Sequence, residues 1–379
     1  MENKLPASLA ELLAQLDAQG VTDYRRYSEV RRYLGFKARD RGVPVSGSFE
    51  LTPLCNLDCK MCYVHLNREQ LRGAELLSTE TWKDLMRQAV DAGMLFATLT
   101  GGECLTYPGF KELYLYLREL GVETSILSNG VLMDAEMVDF LVENPPAGIQ
   151  ITVYGASEEA YERVTGHRSF ARVMENLRRI QSAGLPLKVA ITPNAFMEDG
   201  EQLVRLLYGM NVPFQINTCL VLPRVETGRD LQDADLDTYI CLMKLARELR
   251  DGEACTGCDE GELPEPGGCA EEATKGVRCG AGRSSFCIAW DGLMRPCNAF
   301  PGIAADALDL GFAEAWRRIN AEVREFPQPL ECEGCSYRAQ CPSCVADHAS
   351  GAPIGHANPA RCAWMRRMIA EGLIQRQQT

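Results

Sequence analysis

Between residues 47 and 250 the chain alternates strand-like and helix-like segments six times, and this rhythm limits its fold more than any other feature. "LFATLT", "VETSILS", "GIQITVYG" and "LPLKVAITP" are short, apolar and rich in residues that favour strands. Between them, "STETWKDLMRQAVDAG", "YPGFKELYLYLRELG", "DAEMVDFLVEN" and "DGEQLVRLLYGM" repeat apolar residues at helical spacing, with Ser78 as an N-cap and Gly93 just past a helix end. The long "SEEAYERVTGHRSFARVMENLRRIQSAG" predicts helix at both ends around a glycine-containing turn, and "VPFQINTCL" and "LQDADLDTYICLMKLARELR" close the series. A helix between successive strands of one sheet requires parallel strands. The expected class is therefore α/β, either a doubly covered sheet or an open barrel. Ligands in such folds gather at the carboxyl ends of the strands.

The flanks differ in character. Residues 1–46 predict an N-terminal helical extension, while residues 251–278, rich in glycine, proline and acids, predict a linker or insertion. From 279 to 379 periodicity is weak and cysteine is dense, a pattern that usually needs metal to hold it. A net charge of −13 without a basic run argues against nucleic acid as a partner. The sequence has no signal peptide and no apolar stretch near the roughly 18–20 residues of a membrane span, so it predicts a cytoplasmic protein that does not enter the membrane. In that reducing compartment 17 cysteines are not a disulfide framework. With only four histidines, they favour iron–sulfur clusters or zinc held by cysteines.

Cys55, Cys59 and Cys62 form C-x3-C-x2-C directly after the first strand, "SGSFELTP". Three thiolates can hold three irons of a [4Fe–4S] cubane and leave the fourth open, as catalysis requires. The bland alternative is a closed site completed by a distant cysteine. Tyr63 follows the third cysteine, and other segments end the next strands: "TGGE" with Gly101, Gly102 and Glu103, "LSNG" with Ser128 and Asn129, "ITVYG" with Thr152, and "ITPN". Adjacent glycines let a backbone approach a ligand, and a carboxylate suits an ammonium.

Together these motifs resemble the radical S-adenosylmethionine (radical SAM) enzymes. The resemblance implies a partial (β/α)6 barrel over residues 47–250 in which S-adenosyl-L-methionine chelates the open iron. Tyr63, Gly101, Gly102, Glu103, Ser128, Asn129 and Thr152 would then contact the cofactor. Two departures stand out: Tyr154 replaces an acid found in relatives, and Thr165 occupies a place where some have an arginine, with Arg163 and Arg168 nearby. The C-terminal cysteines resemble the SPASM extension of the same enzymes, with one spacing of two residues where the pattern has three. The implied small irregular domain, residues 279–379, would hold two auxiliary [4Fe–4S] clusters. One would use Cys279, Cys287, Cys297 and Cys344, and the other Cys332, Cys335, Cys341 and Cys362. A pair of zinc knuckles is the alternative.

The resemblance further implies reductive cleavage of S-adenosylmethionine and hydrogen abstraction from a peptide or protein, with flavodoxin or ferredoxin as electron donor. A small-molecule dehydrogenase and a sulfatase-maturating type are alternatives. The latter carries an Asp where this chain has Asn298, and an amide cannot act as the base. A non-catalytic metal-structured protein is the reading furthest from enzymes. Asp291, Asn298 and Tyr154 are guesses from position, and no catalytic base is assigned. Cys219 and Cys241 are expected in the core, Cys104 either in the core or facing the site, and Cys255, Cys258 and Cys269 have no assigned role.

Overall fold

The computed structural model describes residues 9–18, 23–67, 69–71, 75–217, 236–251, 276–300, 302–338, 341 and 344–374. Cys219, Cys255, Cys258, Cys269 and most of the expected linker lie outside the described residues.

Two helices, α1 (Leu9–Ala18) and α2 (Asp23–Arg41), precede the first strand, β1 (Ser46–Glu50). The alternation then runs α3 (Thr79–Asp91), β2 (Phe96–Thr100), α4 (Phe110–Glu119), β3 (Glu123–Ser128), α5 (Ala135–Glu143) and β4 (Gly148–Val153). It continues through α6 (Glu158–Thr165), α7 (Phe170–Ser182), β5 (Leu187–Ile191), α8 (Gly200–Gly209), β6 (Phe214–Ile216) and α9 (Leu236–Asp251). Caps set several boundaries. Ser78, Asp134 and Ser157 each accept a backbone N–H from the first turn of α3, α5 and α6. Gly166, at φ 73°, adopts the left-handed conformation that ends α6 and lets α7 begin on a new axis.

The six strands pair in parallel in the order β6-β5-β4-β3-β2-β1, an open sheet of the expected partial-barrel type. Burial alternates strictly along β3 and β4, which fixes the face each residue presents. The helices cover that sheet with apolar stripes such as Trp82, Leu85, Met86 and Ala89 of α3. Among the described residues, no helix is long and apolar enough to cross a membrane.

The C-terminal region contains elements that periodicity did not reveal: β7 (Ser285–Ile288), β8 (Leu293–Arg295), β9 (Ala305–Asp306), α10 (Ala307–Leu310), α11 (Phe312–Glu325), α12 (Val345–Gly351) and α13 (Pro359–Ala370). β7 pairs in parallel with β1, placing Ile288 beside Phe49, and β8 and β9 extend the same sheet antiparallel. A strand of four residues, one of them a serine, is too short to register by pattern. An aromatic chain fixes the junction: Phe49 of β1 packs edge-on against Trp82 at 6.0 Å and Phe286 at 5.8 Å, and Phe286 packs on Phe312 at 4.9 Å. Trp316 Nε1 donates to Gly42 O at 2.8 Å, and Phe312 N to Gln88 Oε1 at 2.9 Å. At the other end α13 rests on α9 through Tyr239 and Trp364, whose rings lie 5.0 Å apart.

Because Phe286 is buried between two segments far apart in sequence, Phe286→Ala is expected to cost about 3–5 kcal/mol. It should do so within a single unfolding transition, read by chemical denaturation with far-UV and near-UV circular dichroism. Two separate transitions, with only the weaker one shifted, would contradict this joining of the two regions.

Candidate metal centre

The loop after β1 carries Cys55, Cys59 and Cys62, and its backbone is held from two sides. At the end of β2, Gly102 N donates to Thr52 O at 2.7 Å and Glu103 N to Leu54 O at 2.9 Å. At the end of α6, Thr165 O accepts from Asp58 N at 2.9 Å and Val164 O from Lys60 N at 3.0 Å, so the residues on both sides of Cys59 are fixed. Within the loop, Leu57 N approaches Cys55 Sγ at 3.4 Å and His65 N approaches Cys62 Sγ at 3.2 Å.

The two glycines have a physical reason beyond closeness to a ligand. A Cβ on Gly101, at φ +148°, would stand 2.5 Å from Thr52 O, and one on Gly102 would stand 2.4 Å from Leu54 O. The backbone they approach is that of the cysteine loop itself.

Glu103 is buried at 1 % exposure, with one oxygen accepting from Asn129 N at 2.8 Å and the other from Leu105 N at 3.1 Å. Burial pushes its carboxyl above the usual range, and these amide donors draw it partly back. Asn129 also donates from Nδ2 to Asn56 Oδ1 at 2.8 Å and to Cys55 Sγ at 3.5 Å. The segments ending β2 and β3 thus converge on the first cysteine, whose thiol burial pushes up to about 12. Ser128 Oγ accepts from Gly130 N at 3.0 Å.

Thr152 is half-buried on β4, opposite Ala190 of β5. Tyr154, just past β4, packs edge-on against Tyr161 at 6.0 Å. Burial holds its phenol well above the usual range, and Cys59, Cys62 and Cys55 bear on it in that order. Tyr63 accepts a 2.7 Å hydrogen bond from Asn298 Nδ2. Arg163 pairs with Glu198 at 3.2 Å and Arg168 with Glu159 and Glu162 at 2.9 Å each. Thr165 Oγ1 turns back to Tyr161 O at 2.8 Å. Cys104, fully buried, donates to Leu127 O at 3.3 Å and packs in the core, whereas Cys241, expected in the core, is exposed beside Glu201 at 3.2 Å.

Among the described C-terminal cysteines, several bear on one another electrostatically. Burial pushes Cys297 up to about 12, with Cys344 and Cys279 adding to the rise. It pushes Cys344 up to about 11, with Asp347 and Cys279 adding. Burial also raises Cys332, on which Cys341, Cys362 and Cys335 bear, and Cys362, on which Cys341 and Cys335 bear. Cys287 lies buried on β7 opposite Arg295 and is not among the groups that act most strongly on Cys297 or Cys344. Two hollows of about 240 Å³ lie at the amino ends of strands, beside Phe96 and Glu123 and beside Leu187 and Pro213, away from the cysteine loop.

A Cβ at position 102 must displace the loop, so Gly102→Ala is expected to cost about 1–3 kcal/mol and to deprive the loop of metal after reconstitution. Denaturation curves and metal analysis read the two effects. Unchanged stability together with unchanged metal content would contradict this packing role.

The Radical SAM superfamily model matches residues 49–207. The sporulation killing factor maturation protein SkfB of Bacillus subtilis (strain 168) is 31 % identical over 156 residues, which are 41 % of this chain and 37 % of SkfB. The antilisterial bacteriocin subtilosin biosynthesis protein AlbA of the same organism is 25 % identical over 353 residues, 88 % of this chain and 74 % of AlbA. This chain therefore matches well under half the length of one relative and about three quarters of the other. Crystal structures of Streptococcus suis SuiB share the fold at 17 % identity. The one bound to S-adenosylmethionine has a TM-score of 0.67, covering 92 % of this chain and 86 % of SuiB. The one bound to the precursor peptide SuiA has a TM-score of 0.66, covering 96 % and 83 %. What these comparisons show for the chain is a Radical SAM superfamily domain at residues 49–207.

Proposed function

We propose that this chain is a radical SAM oxidoreductase that removes a hydrogen atom from a peptide or protein during its maturation. The observation that carries this reading is the three-cysteine loop, pinned at the carboxyl ends of β1 and β2 and tied to β3 through Asn129. The names of SkfB and AlbA, a maturation protein and a biosynthesis protein, and the peptide held by SuiB support a peptide substrate.

The residues fit an iron–sulfur cluster and S-adenosylmethionine by the chemistry of the donors. Cys55, Cys59 and Cys62 supply three thiolates and leave one iron open. Among the described residues, no three His, Cys, Asp or Glu side chains close in tightly enough to share a single ion. A cubane, with one thiolate on each iron, takes ligands set further apart. The buried Glu103 carboxylate is the natural counter-charge for an ammonium. When bound, the reduced cluster and S-adenosylmethionine supply a 5′-deoxyadenosyl radical able to take hydrogen from an unactivated carbon. The chain's part is to orient and to exclude water. Gly101 and Gly102 set the loop's height above the sheet, Asn129 fixes Cys55, and Ser128 and Thr152 offer hydroxyls along the strand ends. Tyr63, whose hydroxyl accepts from Asn298, would contact S-adenosylmethionine from the loop.

Residues 279–379 are assigned as a SPASM region beside the 47–250 barrel, although β7 shares the barrel's sheet. It would carry two auxiliary [4Fe–4S] clusters, one on Cys279, Cys297 and Cys344 with Cys287, the other on Cys332, Cys335, Cys341 and Cys362. Flavodoxin or ferredoxin would supply electrons. Asn298 in place of an acid weighs against sulfatase maturation.

Anaerobic reconstitution should yield about twelve irons per chain, four for each of three clusters. With dithionite and S-adenosylmethionine, mass spectrometry should find 5′-deoxyadenosine, and Cys55→Ala should abolish it. Cys332→Ser with Cys341→Ser should remove about four irons while 5′-deoxyadenosine still forms. Bound zinc, intact S-adenosylmethionine and four irons or fewer would sink the reading. Asn298→Ala removes one hydrogen bond from Tyr63, worth about 1 kcal/mol, and should weaken S-adenosylmethionine binding about fivefold. Equilibrium binding of S-adenosylmethionine to the reconstituted variant checks this, and an unchanged Kd would contradict the role of that hydrogen bond.

A further inference from the structure

Tyr161 lies on α6 with none of its surface exposed, between Tyr154 and Phe170, whose rings stand 6.0 and 6.3 Å away. Its hydroxyl is buried and has no hydrogen-bond partner among the described residues. An unpaired buried hydroxyl costs about 1–3 kcal/mol. Phenylalanine would keep the ring contacts without that cost, so the oxygen calls for an explanation.

Its placement supplies one. Tyr161, Val164 and Thr165 share one face of α6 and are all fully buried. The carbonyls of Val164 and Thr165 hold the amides of Lys60 and Asp58, which flank Cys59. Tyr161 therefore sits one helical turn from the point where α6 grips the cysteine loop. The charged groups that act most strongly on its hydroxyl are Cys59, then Cys55, then Glu103. Cys59 and Cys55 would be thiolates once the loop is loaded. A phenol kept protonated by burial is a donor, and among these groups it faces acceptors.

On the proposed reading of the loop, we propose that Tyr161 donates a hydrogen bond to the cluster held by Cys55, Cys59 and Cys62, at a ligand sulfur or a cluster sulfide, and thereby tunes its reduction potential. Reduction adds negative charge to the sulfurs, and a donor aimed at them stabilises the reduced form and raises the potential. Tyr161 acts here as a positioning and tuning residue; it does not touch the substrate.

The test compares wild type and Tyr161→Phe, reconstituted anaerobically, by iron analysis and by a redox titration followed by electron paramagnetic resonance. The signal followed is the one that changes when S-adenosylmethionine is added, which separates this cluster from any others. Iron content should be unchanged and the reduction equilibrium constant should fall about tenfold, or ~59 mV to the negative side for one electron. Electron–nuclear double resonance after exchange into deuterated buffer should show an exchangeable proton coupled to the cluster in wild type and lost in the variant. A wild type without any signal responsive to S-adenosylmethionine fails the reading of the loop, not the role of Tyr161. A responsive wild type whose midpoint and proton coupling are matched by the variant overturns the role and leaves the hydroxyl to a buried water. Should Tyr161→Phe fail to load iron, the proton coupling in wild type decides alone, and its absence overturns the proposal.

Discussion

The site depends on one close approach, that of the Gly101–Gly102 backbone against the carbonyls of Thr52 and Leu54. The parallel pairing of β1 and β2 brings the two strand ends side by side. The missing Cβ atoms then let the chain leaving β2 hydrogen-bond the chain leaving β1. The loop is thereby turned over the strand ends rather than away from them. Glu103 is carried inward, and through Asn129 the end of β3 is tied to Cys55. Remove that approach and the first cysteine loses its fixed position, whatever its sulfur would bind.

The second support is the junction between the sheet and the C-terminal region. β7 adds to β1 on the side opposite β2, so β1, whose loop carries the cysteines, is a central strand rather than an edge. The ring contacts of Phe49, Trp82, Phe286 and Phe312 run across this junction. Over the site itself, the contact of Asn298 with Tyr63 joins residues directly following Cys297 and Cys62. The two cysteine-bearing regions are thus coupled both through the core and at the surface of the loop.

The strand–helix alternation was legible because each element buries one face and so prints its period on the sequence, as in the alternating burial of β3 and the stripe of α3. The strand-end segments were legible for a different reason: glycine and asparagine alone mark only a turn, but "TGGE" and "LSNG" end successive strands of a series whose first strand ends in the three-cysteine loop. Tertiary placement left no such mark. β7 is a four-residue strand whose partner lies more than two hundred residues earlier, and no local pattern names that partner. The glycines of "TGGE" read as room for a ligand, and nothing local shows that the neighbouring loop needs the missing Cβ atoms as well. Tyr161 reads as one more apolar position of an amphipathic helix, and only its buried, unpaired oxygen sets it apart. Cys104 shows the reverse, a cysteine beside the site that proves to be core.

On the proposed reading, the three-cysteine loop leaves one iron open for S-adenosylmethionine. That open iron is tested most directly by electron–nuclear double resonance on the reduced, reconstituted protein with S-adenosylmethionine isotopically labelled at its amino nitrogen. Hyperfine coupling between that nitrogen and the cluster is expected, and it should be lost when Cys55, Cys59 and Cys62 are replaced by alanine. A cluster signal on this loop without that coupling would show its fourth iron closed by another ligand, and would contradict the account.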